Sequence, residues 1–130
     1  MNLIEKLKTK LTKYPNLLYE EQPGRLIIRR PEEYGFSITL IQKAEEITIC
    51  FDNWHGHFDT EEEALDFVGF GLSDSCRLRE FKRGGRPYKW VIEAKEANNW
   101  KPINITSSFC FRLWKKKEET IFQNHVLSGS

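Results

Sequence analysis

Leu3, Ile4, Leu7 and Leu11 recur at the three- and four-residue spacing of one helical face, with Lys6, Lys8, Lys10 and Lys13 among and opposite them. Asn2 suits the N-cap and Pro15 the stop, so the spacing predicts a short amphipathic helix at the start of the chain. Its apolar stripe spans about three turns and holds no aromatic residue, which favours docking on the domain's own sheet over lying on a lipid surface. The period then changes from helical to alternating. Residues 17–20 and 25–30 offer strands on either side of the turn at Pro23-Gly24. If residues 42–45 form a four-residue loop, Phe36 faces Phe51, Ile38 faces Ile49 and Leu40 faces Ile47. Ser37 and Thr39 then oppose Cys50 and Thr48 on a polar side.

Thr60 followed by Glu63 has the capping-box spacing, acids fill positions 61–63, and Ala64, Leu65, Val68 and Leu72 continue at helical intervals. A second helix is predicted over residues 60–72. Gly69 and Gly71 each weaken it by about 1 kcal/mol relative to alanine, which reads as a concession to close approach to a sheet. In the second half, a turn at Gly84-Gly85 pairs Arg83 with Arg86, Phe81 with Tyr88, Arg79 with Trp90 and Arg77 with Ile92. A turn at Asn98-Asn99 pairs Glu96 with Lys101, Ala94 with Ile103, Ile92 with Ile105 and Tyr88 with Phe109. Both registers place Tyr88, Trp90, Ile92 and Ala94 on one apolar face. Phe109, Phe111 and Leu113 extend it, Lys115-Lys116-Lys117 reads as a solvated turn, and residues 119–123 as a last strand.

These elements predict an α+β fold: a single domain over residues 1–130, with an ordered core at 2–123 and a polar tail at 124–130. Two amphipathic helices pack on an antiparallel meander or hairpin sheet. The order is helix, three or four strands, helix, three or four strands.

Composition agrees with one packed core: 130 residues, 39% hydrophobic and 13% aromatic. Twenty basic residues against 19 acidic ones leave a net charge of +1, so no global field draws polyanions or anionic lipid, and any such partner needs a local patch. Cys50, Cys76 and Cys110 are odd in number and widely spaced, which fits reduced thiols in the cytoplasm rather than a disulfide framework or a zinc ribbon. The N-terminus lacks a signal-peptide pattern and no apolar run is long enough to span a bilayer. A cytoplasmic protein without a membrane partner is therefore expected, as a monomer or homodimer.

The candidate site is the Gly-Gly hairpin. Residues 77–89 hold Arg77, Arg79, Lys82, Arg83, Arg86 and Lys89 against Glu80 alone, while residues 59–66 hold five acids and no base. The predicted register sets Arg77, Arg79, Arg83 and Arg86 beside Tyr88 and Trp90. Two readings follow. The arginines and aromatics form a face for an anionic or protein partner, or the arginine stems simply cover the rings. For Arg77 and Arg79 the question is whether they line a pocket or meet an internal acid. His55 and His57 share one face of a strand and are weak metal candidates, lacking an evident third ligand. No nucleophile elbow, phosphate loop or dinucleotide fingerprint is present. The expectation is a non-catalytic binding or adaptor module without a cofactor, with a protein as partner. A nucleic acid or other anion on the basic hairpin is the alternative, and a small-molecule or metal-dependent enzyme is a third reading.

Overall fold

The computed structural model describes residues 2–107 and 116–126. Helix α1 (Leu3–Leu11) starts where the Asn2 side chain accepts the Glu5 N–H at 2.8 Å, and it buries Leu3, Ile4, Leu7 and Leu11. Strands β1 (Tyr19–Gln22), β2 (Arg25–Ile28), β3 (Ile38–Lys43), β4 (Glu46–Phe51) and β5 (Trp54–Phe58) follow as an antiparallel meander, in sheet order β1-β2-β3-β4-β5. Helix α2 (Glu61–Leu72) is capped by the Thr60 hydroxyl, which accepts the Glu63 N–H at 3.1 Å. Strands β6 (Cys76–Arg83), β7 (Arg86–Glu96), β8 (Asn99–Ser107) and β9 (Lys117–Phe122) form a second antiparallel sheet, in order β8-β7-β6-β9.

The predicted arrangement of two helices on one sheet is thus incorrect. Among the described residues, strand makes up 51% and helix 18%, in two sheets of five and four strands. Alternation tells which face of a strand is buried but not which strands share a ladder. Here α2 carries the chain away from the first sheet, and β6 opens a new one. One core joins both sheets and helices. It gathers Leu3 and Leu7 of α1, Leu26, Ile38, Ile49 and Phe51 of the first sheet, Val68 of α2, and Leu78, Trp90 and Ile92 of the second. Gly71 lets α2 approach, since a Cβ there would overlap the Phe51 ring; Gly69 has open space. No helix among the described residues is long and apolar enough to cross a membrane.

In the β3–β4 hairpin the connection is two residues, with Ala44 at φ +49°, rather than four. Leu40 therefore faces Ile49 and Ile38 faces Phe51, a slip of two that keeps every apolar side chain on its predicted face. At the far end of the chain, Asn124 begins the predicted polar tail yet is buried. Its Oδ1 accepts the Phe36 N–H at 2.8 Å and its Nδ2 donates to the Gly71 carbonyl at 3.0 Å. The Val126 N–H donates to the Leu72 carbonyl at 2.8 Å, so residues 123–126 strap the end of α2 to the start of β3. The predicted roles of Phe109, Cys110, Phe111, Leu113 and Lys115 lie outside the described residues.

Candidate functional site: the outer face of the second sheet

The Gly84-Gly85 turn is formed as expected, with φ of +58° and +79°, and Arg83 pairs with Arg86. Beyond Lys82 and Pro87 the register shifts by one residue, because Tyr88 is an extra residue in β7. Phe81 then faces Lys89, Glu80 faces Trp90, Arg79 faces Val91 and Arg77 faces Glu93. A slip of one exchanges the two faces. Trp90 and Ile92 go to the core as predicted, but Cys76, Leu78 and Glu80 accompany them, not the arginines. Buried Glu80 accepts the Trp90 indole N–H at 2.9 Å, which satisfies both groups.

Arg77 and Arg79 consequently lie on the opposite, outer face, against acids supplied by the neighbouring strands. Glu93 is buried, and its Oε1 accepts Arg77 Nε–H at 2.6 Å and Arg79 Nη2–H at 3.1 Å; Arg79 Nη1–H reaches Glu119 at 2.8 Å. The Arg77 guanidinium also covers the Trp100 ring, 4.3 Å from its centroid. The acids close the question left by the sequence: both arginines are neutralised internally. A surface cavity of about 570 Å³ lies elsewhere, between the start of α1 and the β1–β2 turn.

A second bulge lies at Ile103 in β8, between the pairs Glu93–Pro102 and Ile92–Asn104. The turn before β8 lies at residues 97–98, with Ala97 at φ +54° and Glu96 opposite Asn99, rather than at Asn98-Asn99 with Glu96 opposite Lys101. This slip of two, less one residue for the bulge, brings Ile105 opposite Val91 rather than Ile92, and Ile103 and Ile105 stay 50% and 54% exposed. Ile105, Val91, Arg79 and Ile121 thus form one row across four strands of the outer face. The next row is Ser107, Lys89, Phe81 and Glu119, and the last is Arg86, Arg83 and Lys117. Arg86 is exposed at the turn, while Tyr88 is half-buried, with the Arg83 guanidinium 5.7 Å from its ring centroid.

His55 and His57 project from the same side of β5, with ring centroids 5.9 Å apart. His57 Nδ1 lies 3.0 Å from both Thr48 Oγ1 and Glu46 Oε1. Among the described residues no set of three or more His, Cys, Asp or Glu side chains is placed to hold a metal.

Glu93, Glu119, Trp100 and Ile121 are members of this face that the expected registers do not reveal, whereas Ile105, expected opposite Ile92 in line with Arg77, is on it opposite Val91. Pro87 and Pro102 were the available signals. Each sits beside a register shift, the position inside a sheet where a residue without an N–H is tolerated. Comparison with protein-family models, with curated proteins and with solved structures finds no match to this chain.

Proposed function

We propose that the protein is a binding or adaptor module whose outer face on the second sheet engages another protein. The observation that carries this reading is the row Ile105–Val91–Arg79–Ile121. Two exposed isoleucines, at 54% and 40%, flank a valine and an arginine already locked in place by Glu93 and Glu119. Arg79, fixed by Glu93 and Glu119, loses little side-chain freedom when the row is covered, which favours association. The arginine chemistry also suits an interface, because Arg is enriched there while isolated lysines and acids are depleted.

Cys50 and Cys76 are free thiols, which suits a reducing compartment such as the cytoplasm. The decisive experiment is cross-linking in extract of the native host, comparing the wild-type protein with Ile105→Asp. A protein recovered by the wild type and lost with the variant is expected. Recovery of nothing, or of the same proteins by both, rejects the outer face as the interface.

A further inference from the structure

Helices α1 and α2 face each other across a groove of about 270 Å³, and Lys6 Nζ on Glu61 Oε1 at 2.6 Å ties the two together. Leu7 and Leu11 of α1 and Leu65, Val68 and Leu72 of α2 line it, with Gly69 among them. A second cavity of about 330 Å³ adjoins it at Lys13 and Tyr14 and is lined further by Leu17, Pro31 and Val126. Together they reach the size of small-molecule sites, roughly 300–1,000 Å³. Gly69 has no duty in the fold itself. Gly71 must be glycine because Phe51 occupies the place of a Cβ, but at position 69 a Cβ would meet nothing within 4 Å, and the backbone there is not left-handed. A glycine inside a helix weakens it relative to alanine. What the missing side chain provides is room in the groove.

The rim of the groove supplies the charge. Lys6 and Lys8 are paired, with Glu61 at 2.6 Å and Glu21 at 2.8 Å. Lys10 and Lys13 are exposed, line the groove, and among the described residues have no carboxylate within ion-pairing distance. Asp66 lines the groove from α2 but not the adjoining cavity, whereas Lys13 lines both. An anionic head is therefore best placed at Lys13, where the two cavities meet. We infer that the groove binds an alkyl carboxylate of medium chain length, with its carboxylate at Lys13 and Lys10 and its hydrocarbon over Gly69 between the leucines. A peptide is the poorer occupant. The helices' backbone groups are used within the helices, and the floor is apolar side chains, so a peptide's amides would be buried unpaired while an alkyl chain has none to satisfy. This site lies apart from the outer face of the second sheet and does not depend on the reading given to that face.

The test is titration of the full chain with decanoate, octanoate and decylammonium, followed by calorimetry and by backbone amide NMR. Decanoate should bind and shift the amides of Leu65, Gly69 and Leu72. Octanoate, shorter by two methylenes, should bind about tenfold more weakly. Decylammonium, which brings a like charge to the lysines, should bind more weakly than decanoate. Lys10→Gln/Lys13→Gln should weaken decanoate about fivefold. Gly69→Leu, whose side chain would occupy the open space, should abolish binding while the thermal melt shows a folded protein. Gly69→Ala should weaken it several-fold, so the result does not hang on the leucine variant folding. Four outcomes overturn the inference: no binding below the concentration at which decanoate self-associates, equal binding of decylammonium, amide shifts centred away from the groove, or unchanged affinity in the folded Gly69 variants.

Discussion

Glu93 Oε1 accepts the Nε–H of Arg77 at 2.6 Å, and the same oxygen lies 3.1 Å from Nη2 of Arg79. One buried carboxylate therefore compensates two guanidinium groups whose side chains are only 18% and 21% exposed. Removing one partner of a fully buried ion pair costs roughly 3–5 kcal/mol. With the residual exposure of both arginines, Glu93→Ala is expected to cost about 2 kcal/mol, still well above a surface pair. Glu119, 47% exposed, should cost about 0.5 kcal/mol when changed to alanine. Urea unfolding of the two variants makes the comparison, and equal losses would refute the central place given to Glu93.

Gly71 and Gly69 lie two residues apart in one helix and should respond oppositely to the same substitution. An alanine Cβ at position 71 would overlap the Phe51 ring and come within 3.1 Å of Ile38 Cδ1, so Gly71→Ala is expected to destabilise by about 1–3 kcal/mol through overpacking. At position 69 a Cβ meets nothing within 4 Å. Gly69→Ala should stabilise by about 0.5–1 kcal/mol from helix propensity alone. A pair of thermal melts suffices, and the prediction fails if the shifts share a sign.

The contrast between two register errors shows what was legible in the chain. In the β3–β4 hairpin the loop is two residues shorter than expected, but a slip of two leaves Ile38, Leu40, Ile49 and Phe51 buried, so alternation alone identifies the core. In the β6–β7 hairpin the turn was correct and Tyr88 still turned the register over, so a shift of one moved Arg77 and Arg79 from the side of Trp90 to that of Glu93. Their importance was legible as an excess of charge beside aromatics. Their partners were not, because Glu119 comes from a strand 40 residues away and Glu93 meets them only once the bulge exists. The division into two sheets was likewise hidden, since each strand's pattern records burial rather than its neighbour. The burial of Asn124 is hidden for the same reason, since a polar residue there is held by Phe36 and Gly71, both distant in sequence.

Asn124 supplies one acceptor to the Phe36 N–H and one donor to the Gly71 carbonyl in a site that leaves it 3% exposed. Alanine would remove both partners and leave two buried backbone groups unsatisfied, a loss of about 2–4 kcal/mol. Aspartate keeps the acceptor, loses the donor and brings an unpaired buried charge, so Asn124→Asp should be no more stable than Asn124→Ala near neutral pH. It should recover part of the difference as the pH falls and the carboxyl protonates. Chemical denaturation of both variants at neutral and mildly acidic pH tests this. A loss below about 0.5 kcal/mol for alanine would mean that the strap formed by residues 123–126 is dispensable.

Burial pushes the Cys76 thiol well above its ordinary value of 9.0, because the thiolate would sit desolvated between the core and β7. The sign of the consequence follows from proton counting. Below pH 9 both folded and unfolded states keep the proton, so the shift's contribution is fully present. Above it the unfolded chain releases the proton and the folded one holds it, so stability falls as the pH rises. Cys50, half-buried, is raised by the same cause, offset in part by Arg25, and contributes a smaller slope of the same sign. The difference in unfolding free energy between wild type and Cys76→Ala, followed from neutral pH to about pH 10, should therefore change in the variant's favour by roughly 1 kcal/mol for each unit above 9. Lysine and tyrosine titrations common to both proteins cancel in that difference. In parallel, iodoacetamide with peptide mapping should label Cys50 slowly and Cys76 only when denaturant is present. A native Cys76 that alkylates as fast as Cys50, or a pH-independent difference between the two proteins, would show that the thiol is not sealed in the core.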